Sequence, residues 1–406
     1  MKRRLLLVLA LILTLSLGGC WGKVEVDQLG FVLAIGIDPG RSPGTYDVTY
    51  QMGLPKASQG GGGSNLDNMT LTVQARSMRE SVQKVYNIAS RRPFVGTVKV
   101  IVLGEDLAKE GVNRIIDFFQ RYYEFRRTVF LVLAQGKASD LLDVQTQHEK
   151  MPALSLQGFM QEAGSTSTFP VTRLGHYLTV LGSGIEAPVI PVANPLKSGQ
   201  EGVRYQAKTP GQAEEVHVGG AGVLNGDKLV SILTEEETRG YMWLQNEVKH
   251  RSITAELPGH NGQYFASARI ITTHTAFRLE PDVNGGYSLH YTITGKWDLD
   301  EFYGPQKRLT PSEWLTTTAP VVNKAFTQVI QQECEAALRK SRELKLDFLG
   351  IGRIIEEQNP AYWKEIRNHW QATLPDFPVT VHIRIAPENA GSSFAPPTNP
   401  PGTGQD

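Results

Sequence analysis

Apolar and polar positions change period several times along the chain, and each change marks an element. Leu29 to Ile37 is an almost unbroken apolar run, which predicts a buried strand, and Asp38-Pro39-Gly40 ends it with turn chemistry. Tyr46 to Met52 alternates polar with apolar residues, so the two segments read as an antiparallel hairpin. Met69 to Val73 is a third strand. Ser77-Met78-Arg79-Glu80 has the spacing of a capping box, and Val82, Val85, Tyr86 and Ala89 then fall on one face of a helix. Val98–Leu103 and Thr128–Ala134 are apolar strands around a helix at Val112–Tyr123, with Ile115, Ile116, Phe119 and Tyr122 inward. Short helices follow at Lys137–Asp143, Leu154–Glu162 and Val171–Val180, then a strand at Ala187–Ala193. Strands alternating with amphipathic helices predict crossover units and a mixed sheet covered on both faces.

From Leu196 to Glu215 the period disappears, which predicts a linker. His217–Leu224, the Asn225-Gly226 turn and Lys228–Leu233 form a hairpin, and Thr234 before three glutamates starts a capped helix reaching about Val248. Tyr264–Thr272, His274–Glu280 and Tyr287–Trp297 read as an antiparallel meander. Thr310-Pro311-Ser312-Glu313 opens a short helix that Pro320 interrupts or restarts. Val322, Phe326, Val329, Ile330, Ala337 and Leu338 are the inner stripe of a long helix, followed by a helix at Ala361–Trp370 and a strand at Val379–Ile385. The fold class expected is mixed α/β in three domains. An N-terminal α/β domain with a mixed sheet covers 20–195, a linker 196–215, a small middle α+β domain 216–262, and a C-terminal antiparallel sheet with a long helix 263–386. A tail rich in proline, glycine and serine, 387–406, lacks the apolar residues to order itself.

The first twenty residues change the picture. Lys2, Arg3 and Arg4 precede the apolar stretch Leu5–Leu17, which is too short for a comfortable span, and Leu17-Gly18-Gly19-Cys20 closes it. This resembles the signal peptide (1–19) and lipobox of a bacterial lipoprotein, with Cys20 carrying diacylglycerol and an N-acyl chain. Over the whole chain 41 basic residues balance 41 acidic ones, so loss of the three basic signal residues leaves a mature chain near −3. That charge does not suggest a nucleic-acid binder. Cys334, the second of two cysteines, lies four residues after Ile330 on the helical stripe and reads as a buried structural thiol.

Candidate chemistry is sparse. The glycine run within Gln59–Asn65 lacks the Gly-Lys-Ser/Thr ending of a phosphate loop and reads as a surface loop. No His-x-x-x-His pair or Gly-x-Ser-x-Gly elbow occurs. His148 beside Glu149, Ser165 and Ser167, and Asp298 and Asp300 are weak candidates, each better explained by a solvated or turn position. No catalytic, metal or cofactor site is expected, and a ligand site is unknown.

Three stretches together resemble the Ger(x)C family, the lipoprotein C subunits of nutrient germinant receptors in endospore-forming bacteria. They are Asp27-Gln28-Leu29-Gly30 with Ala34-Ile35-Gly36-Ile37-Asp38, then Val98 to Gly111 with Asp117, Arg121, Glu124 and Arg126, and Asp347-Phe348-Leu349-Gly350-Ile351-Gly352 with Pro360, Trp363 and Trp370. Where the family often has Gly-His, Gly96 is followed by Thr97. The resemblance implies a three-domain α/β protein without known catalysis, on the outer face of the spore inner membrane. Its implied partners are the receptor's A and B subunits, and the bilayer through Cys20. A solute-binding lipoprotein of a transporter is the alternative, and it would need two similar lobes. For the motif residues the expectation is packing or turn roles for Gly36, Gly104, Gly350 and Gly352. Arg121, Glu124 and Arg126 are expected on a solvated or paired helix face.

Overall fold

The computed structural model describes residues 25–55, 66–144, 146, 149, 151–197, 215–259, 264–282, 285–304 and 310–389. Cys20, the glycine run, His148, most of the 196–215 linker and the tail beyond 389 lie outside them.

In the first half, β1 (Leu29–Pro39), β2 (Tyr46–Pro55) and β3 (Leu66–Ala75) form a meander, followed by α1 (Met78–Ile88) and β4 (Arg92–Phe94). Next come β5 (Val100–Gly104), α2 (Glu105–Glu110), α3 (Asn113–Arg121), β6 (Phe130–Ala134), α4 (Ala138–Leu142) and α5 (Pro152–Thr166). β7 (Thr172–Arg173), α6 (Leu174–Ser183) and β8 (Val189–Leu196) complete it. Ser77 caps α1 as expected, accepting from the Glu80 N–H at 3.2 Å, but the Glu80 carboxylate accepts from the Arg76 N–H at 2.9 Å rather than from that of Ser77, so the capping box is incomplete.

Two more strands, β9 (Glu215–Asn225) and β10 (Lys228–Leu233), join these in one sheet ordered β10-β9-β8-β6-β5-β1-β2-β3, with β4 beside β1 and β7 beside β6. β1, β5, β6 and β8 are mutually parallel, and their continuous apolar runs are buried between two layers of side chains. One layer holds Val82, Ile115, Phe119 and Tyr177, and the other Leu141, Leu142, Leu156 and Met160. Gln51, fully buried on β2, ties the strand to both α4 and α5: its amide donates to the Leu142 carbonyl at 2.9 Å and accepts from the Ala153 N–H at 2.8 Å.

In the second half, α7 (Glu235–Leu244) leads to β11 (Arg251–Glu256), β12 (Phe265–Pro281) and β13 (Tyr287–Tyr303). A helical turn at Pro311–Glu313 and a wider one at Trp314–Thr318 precede α8 (Ala319–Leu344). Then come α9 (Ile351–Gln358), α10 (Pro360–Ile366) and β14 (Val379–Asn389). The sheet order is β11-β12-β13-β14, and α8 packs on it through Phe326, Ile330 and Ala337, with the Phe326 and Trp297 rings edge to face at 5.2 Å.

Several expectations change. The hairpin placed in a separate middle domain, 216–262, is hydrogen-bonded to β8 through β9, while β11 belongs to the second sheet, so that segment is divided between the two. The reason lies in β9: its second half is buried on both faces, which an isolated two-stranded hairpin cannot provide. The helix expected to reach Val248 ends at Leu244, and the two strands expected within Tyr264–Glu280 are one long strand, Phe265–Pro281. Bulges opposite β13, between Ser267 and Ala268 and between Ile270 and Thr272, absorb the break in alternation that suggested a turn. β14 runs parallel to β13, so the second sheet is not wholly antiparallel, and it continues to Asn389, past the expected boundary at 386. Pro320 occupies the first turn of α8, where it restarts the helix.

Candidate functional site

The motif glycines Gly36, Gly104, Gly350 and Gly352 fall in two buried knots, each centred on an aspartate. In the first, Asp38 at the end of β1 is 4% exposed and accepts from the Ala138 N–H at 2.8 Å and the Ser139 N–H at 2.9 Å, which starts α4. A Cβ at Gly104 would fall on this carboxylate, and a Cβ at Gly36 would stand 2.9 Å from Leu142 Cδ1. Both glycines are therefore close-packing positions, as expected.

The second knot joins the two halves of the molecule. Asp347, 5% exposed in the turn between α8 and α9, accepts from the Ile351 N–H at 2.9 Å, from the Gly352 N–H, and from Trp370 Nε1 at 3.0 Å. Its main-chain carbonyl accepts from the Ala187 N–H, at 2.9 Å, just before β8. Gly350 has a left-handed φ of 66°, and a Cβ there would also press on Arg353 and Glu186. At Gly352 a Cβ would stand 2.7 Å from Trp363 and 3.0 Å from Trp370 Nε1. The Trp363 and Trp370 rings meet edge to face at 5.6 Å, and Arg353 spans the joint to Glu186 at 3.1 Å. Beside this knot lies a cleft of about 630 Å³, walled by Glu186, Pro188 and Asn225 from the first half and by Asp347, Trp363 and Trp370 from the second.

Electrostatics at the joint favour protons. Burial pushes Asp347 up to about 6, and Glu186 adds to this, against the three N–H donors. Burial and the neighbouring Glu186 push Glu247 up to about 7, with Lys249 opposing. Glu186 is itself raised by burial against the pull of Arg353. Carboxylates titrate near 4 when the chain is unfolded. Between about pH 4.5 and 7 these carboxyls bind more protons in the folded chain than in the unfolded one, so their contribution to stability falls as pH rises, while His176, held below its ordinary value by burial and by Arg353, opposes them in the upper part of that window. Denaturant unfolding at pH 5 and pH 7.5 should show a loss of about 2 kcal/mol at the higher pH. Glu247→Gln should remove at least half of that loss, and an unaltered slope would show that Glu247 does not carry it.

A third cluster was missed by sequence reasoning. Glu333, on the inner stripe of α8, accepts a paired contact from Arg251 at 2.7 Å for each nitrogen, from Arg239 Nε at 2.7 Å and from Trp243 Nε1 at 2.8 Å. Burial works to raise its carboxyl, but these donors hold it below the ordinary value. A Cβ at Gly240 would fall on the Glu333 carbonyl, so α7 and α8 pack backbone to backbone. The available signal was a carboxylate in phase with Phe326, Ile330 and Ala337.

Other candidates take structural places. Cys334 is buried and unpaired, and burial pushes its thiol up. Ser167 accepts from the Lys249 N–H at 2.9 Å, again across the joint. Asp298 and Asp300 lie near the end of β13 rather than together in a cleft. Arg121 pairs with Asp117 at 2.8 Å on the exposed face of α3, while Glu124 accepts from the Tyr122 hydroxyl at 3.4 Å and Arg126 is exposed. Among the described residues no group of three or more His, Cys, Asp or Glu side chains is placed to hold a metal ion, and no helix is long and apolar enough to cross a membrane.

Known proteins resemble the chain along nearly its full length. Residues 22–195 match the family described as the spore germination protein N-terminal domain, and residues 219–391 the family described as spore germination B3/GerAC like, C-terminal. Spore germination protein KC of Bacillus subtilis (strain 168) is 26% identical over 404 residues, covering 94% of each chain. Spore germination protein B3 of the same organism is 23% identical, covering 91% of this chain and 94% of its own. The crystal structure of the GerBC protein superposes with a TM-score of 0.53 at 19% identity, covering 90% of this chain and all of that one, which shows a shared fold. With both halves matched in order, the chain belongs to the GerAC-like family of spore germination proteins.

Proposed function

We propose that this protein is the lipid-anchored C subunit of a spore nutrient germinant receptor, held to the outer face of the spore inner membrane through Cys20. It assembles there with membrane-embedded A and B subunits and carries no catalysis of its own. The observation that carries this reading is the matching of both family domains, in order, directly behind a lipobox. The knot at Asp347 supports it physically: an assembly subunit needs its two halves held at a fixed angle, and the third motif stretch, with Asp347, Gly352 and Trp370, forms one side of that joint. A tether at Cys20 raises the local concentration of the protein at its membrane partners.

The test is crosslinking and co-purification of the tagged protein from spore membranes. Wild type should recover multi-spanning partners, and Cys20→Ala should recover about tenfold less or worse. Recovery with an ATP-driven permease, or alone with a bound small molecule, would replace this reading by a solute-binding lipoprotein.

A further inference from the structure

We propose that one edge of the first sheet, where β1, β5 and β6 begin, docks on the anionic phospholipid headgroups of the bilayer that holds the chain. This rests on the proposed tether at Cys20.

Because β1, β5 and β6 are parallel, their first residues share an edge, and β4 sits on it beside the start of β1, Leu29 opposite Arg92 and Phe31 opposite Phe94. Arg92, Lys99, Arg126, Arg127 and Arg173 are exposed along this edge, and none forms a salt bridge among the described residues. The nearby carboxylates leave the five cations in excess: Asp117 is engaged by Arg121, half-buried Glu124 acts on Arg92, and exposed Glu25 and Glu162 lie at the start of β1 and beside the hollow. Arg173 is fixed over the Phe130 ring at 4.3 Å with one nitrogen on the Thr128 carbonyl, and with Lys99 and Arg126 it lines a hollow of about 160 Å³. Tyr123, 88% exposed, and Phe94, 38% exposed, project from the same edge. Arginine interleaved with exposed aromatic rings suits the headgroup layer of a bilayer, where rings take the interface and cations the phosphates.

The attachment of the chain selects the bilayer as occupant. The five-residue step from Cys20 to Glu25 spans at most about 18 Å when fully extended. The chain then enters β1 at this edge, so a lipid on Cys20 holds the edge close to the membrane surface, near the reach of unscreened charge.

The acylated full-length protein supplies the test, since with Cys20 blocked and Cys334 buried a new surface cysteine takes a spin label alone. Labels are placed by Tyr123→Cys and, at the far end of the sheet, by Val230→Cys, in vesicles with and without phosphatidylglycerol. With phosphatidylglycerol, accessibility of the position 123 label to a water-soluble nickel complex should fall about fivefold or more below that of position 230, as expected where each cation near an anionic surface is worth about fivefold in partition. Protection should vanish in pure phosphatidylcholine, and also with Arg92→Glu, Arg126→Glu and Arg127→Glu combined, while the protein still floats with the vesicles. Equal accessibility in both lipids would overturn the proposal, as would protection seen only in spore membranes, where a protein partner covers the edge. Failure to float at all would instead remove the tether, and the docking with it.

Discussion

Replacing Glu333 by alanine is expected to lower the stability of the second half by about 3–5 kcal/mol, the cost of leaving a buried charge without its partner. The Glu333 side chain is 3% exposed and that of Arg251 7%, so the guanidinium has almost no access to water once the carboxylate is gone. Arg239 is more accessible and can swing outward, where Glu235 already meets it at 3.1 Å, but Trp243 Nε1 loses its acceptor inside the core. Denaturant unfolding followed by tryptophan fluorescence reads the loss. A change below about 1 kcal/mol would mean that Arg251 finds other partners and that the network is not needed for packing α7 on α8. The double variant Glu333→Leu with Arg251→Met should recover much of the loss, because a well-packed apolar pair avoids the desolvation of both charges. The pH dependence gives a second check with a definite sign. The Glu333 carboxyl is held below its ordinary value, so its contribution is present above about pH 4.5 and is lost as pH falls through the folded pKa. Wild type and Glu333→Ala should therefore converge in acid, opposite in direction to the loss expected from the joint carboxylates as pH rises toward 7.

The long strands and α1 of the first half were legible because each keeps one period for its whole length, whereas the short β4 and α2 have none to show and β7, Thr172–Arg173, lies where a helix was expected. β1, β5 and β6 are apolar throughout, and α1 carries both its cap and its stripe in consecutive residues. The boundaries that were misplaced are set by pairing between distant strands. β9 reads locally as half of a hairpin, and only its bond to β8, across the 196–215 linker, assigns it to the first sheet. β12 hides its continuity behind two bulges, and β14 reaches its place beside β13 only after α8, α9 and α10, so its direction carries no local mark. α9 opens on Gly350-Ile351-Gly352, a sequence of poor helix formers, and starts because Asp347 caps it from outside. The candidate site shows the same division. Residues 347, 350, 352, 363 and 370 were visible as a motif, but Glu186 and Ala187, about 160 positions earlier, had no signal that they would meet it.

Gly352→Val is expected to cost about 3–5 kcal/mol, from crowding of about 1–3 and the loss of a hydrogen bond to a charged group of about 1.5–3. The first added carbon already stands 2.7 Å from the Trp363 ring and 3.0 Å from Trp370 Nε1, and both rings are packed on other side chains. Trp370 cannot retreat without pressing on Phe377, whose ring lies 5.3 Å away, and it cannot stay without giving up Asp347. Asp347 is then left with two main-chain donors at the start of α9, and its turn moves. The first contact to feel this is the Ala187 N–H on the Asp347 carbonyl, which couples the joint to β8. Amide exchange at Ala187 should rise by a larger factor than exchange in the central strands β5 and β6, which lie outside the joint. Gly182→Ala, at a glycine whose Cβ would meet no atom within 4 Å, is the control and should leave both stability and Ala187 exchange close to wild type. Unaltered protection at Ala187 in Gly352→Val would separate the tryptophan pair from the joint, and the glycine of the motif would then serve the local packing of α9 alone.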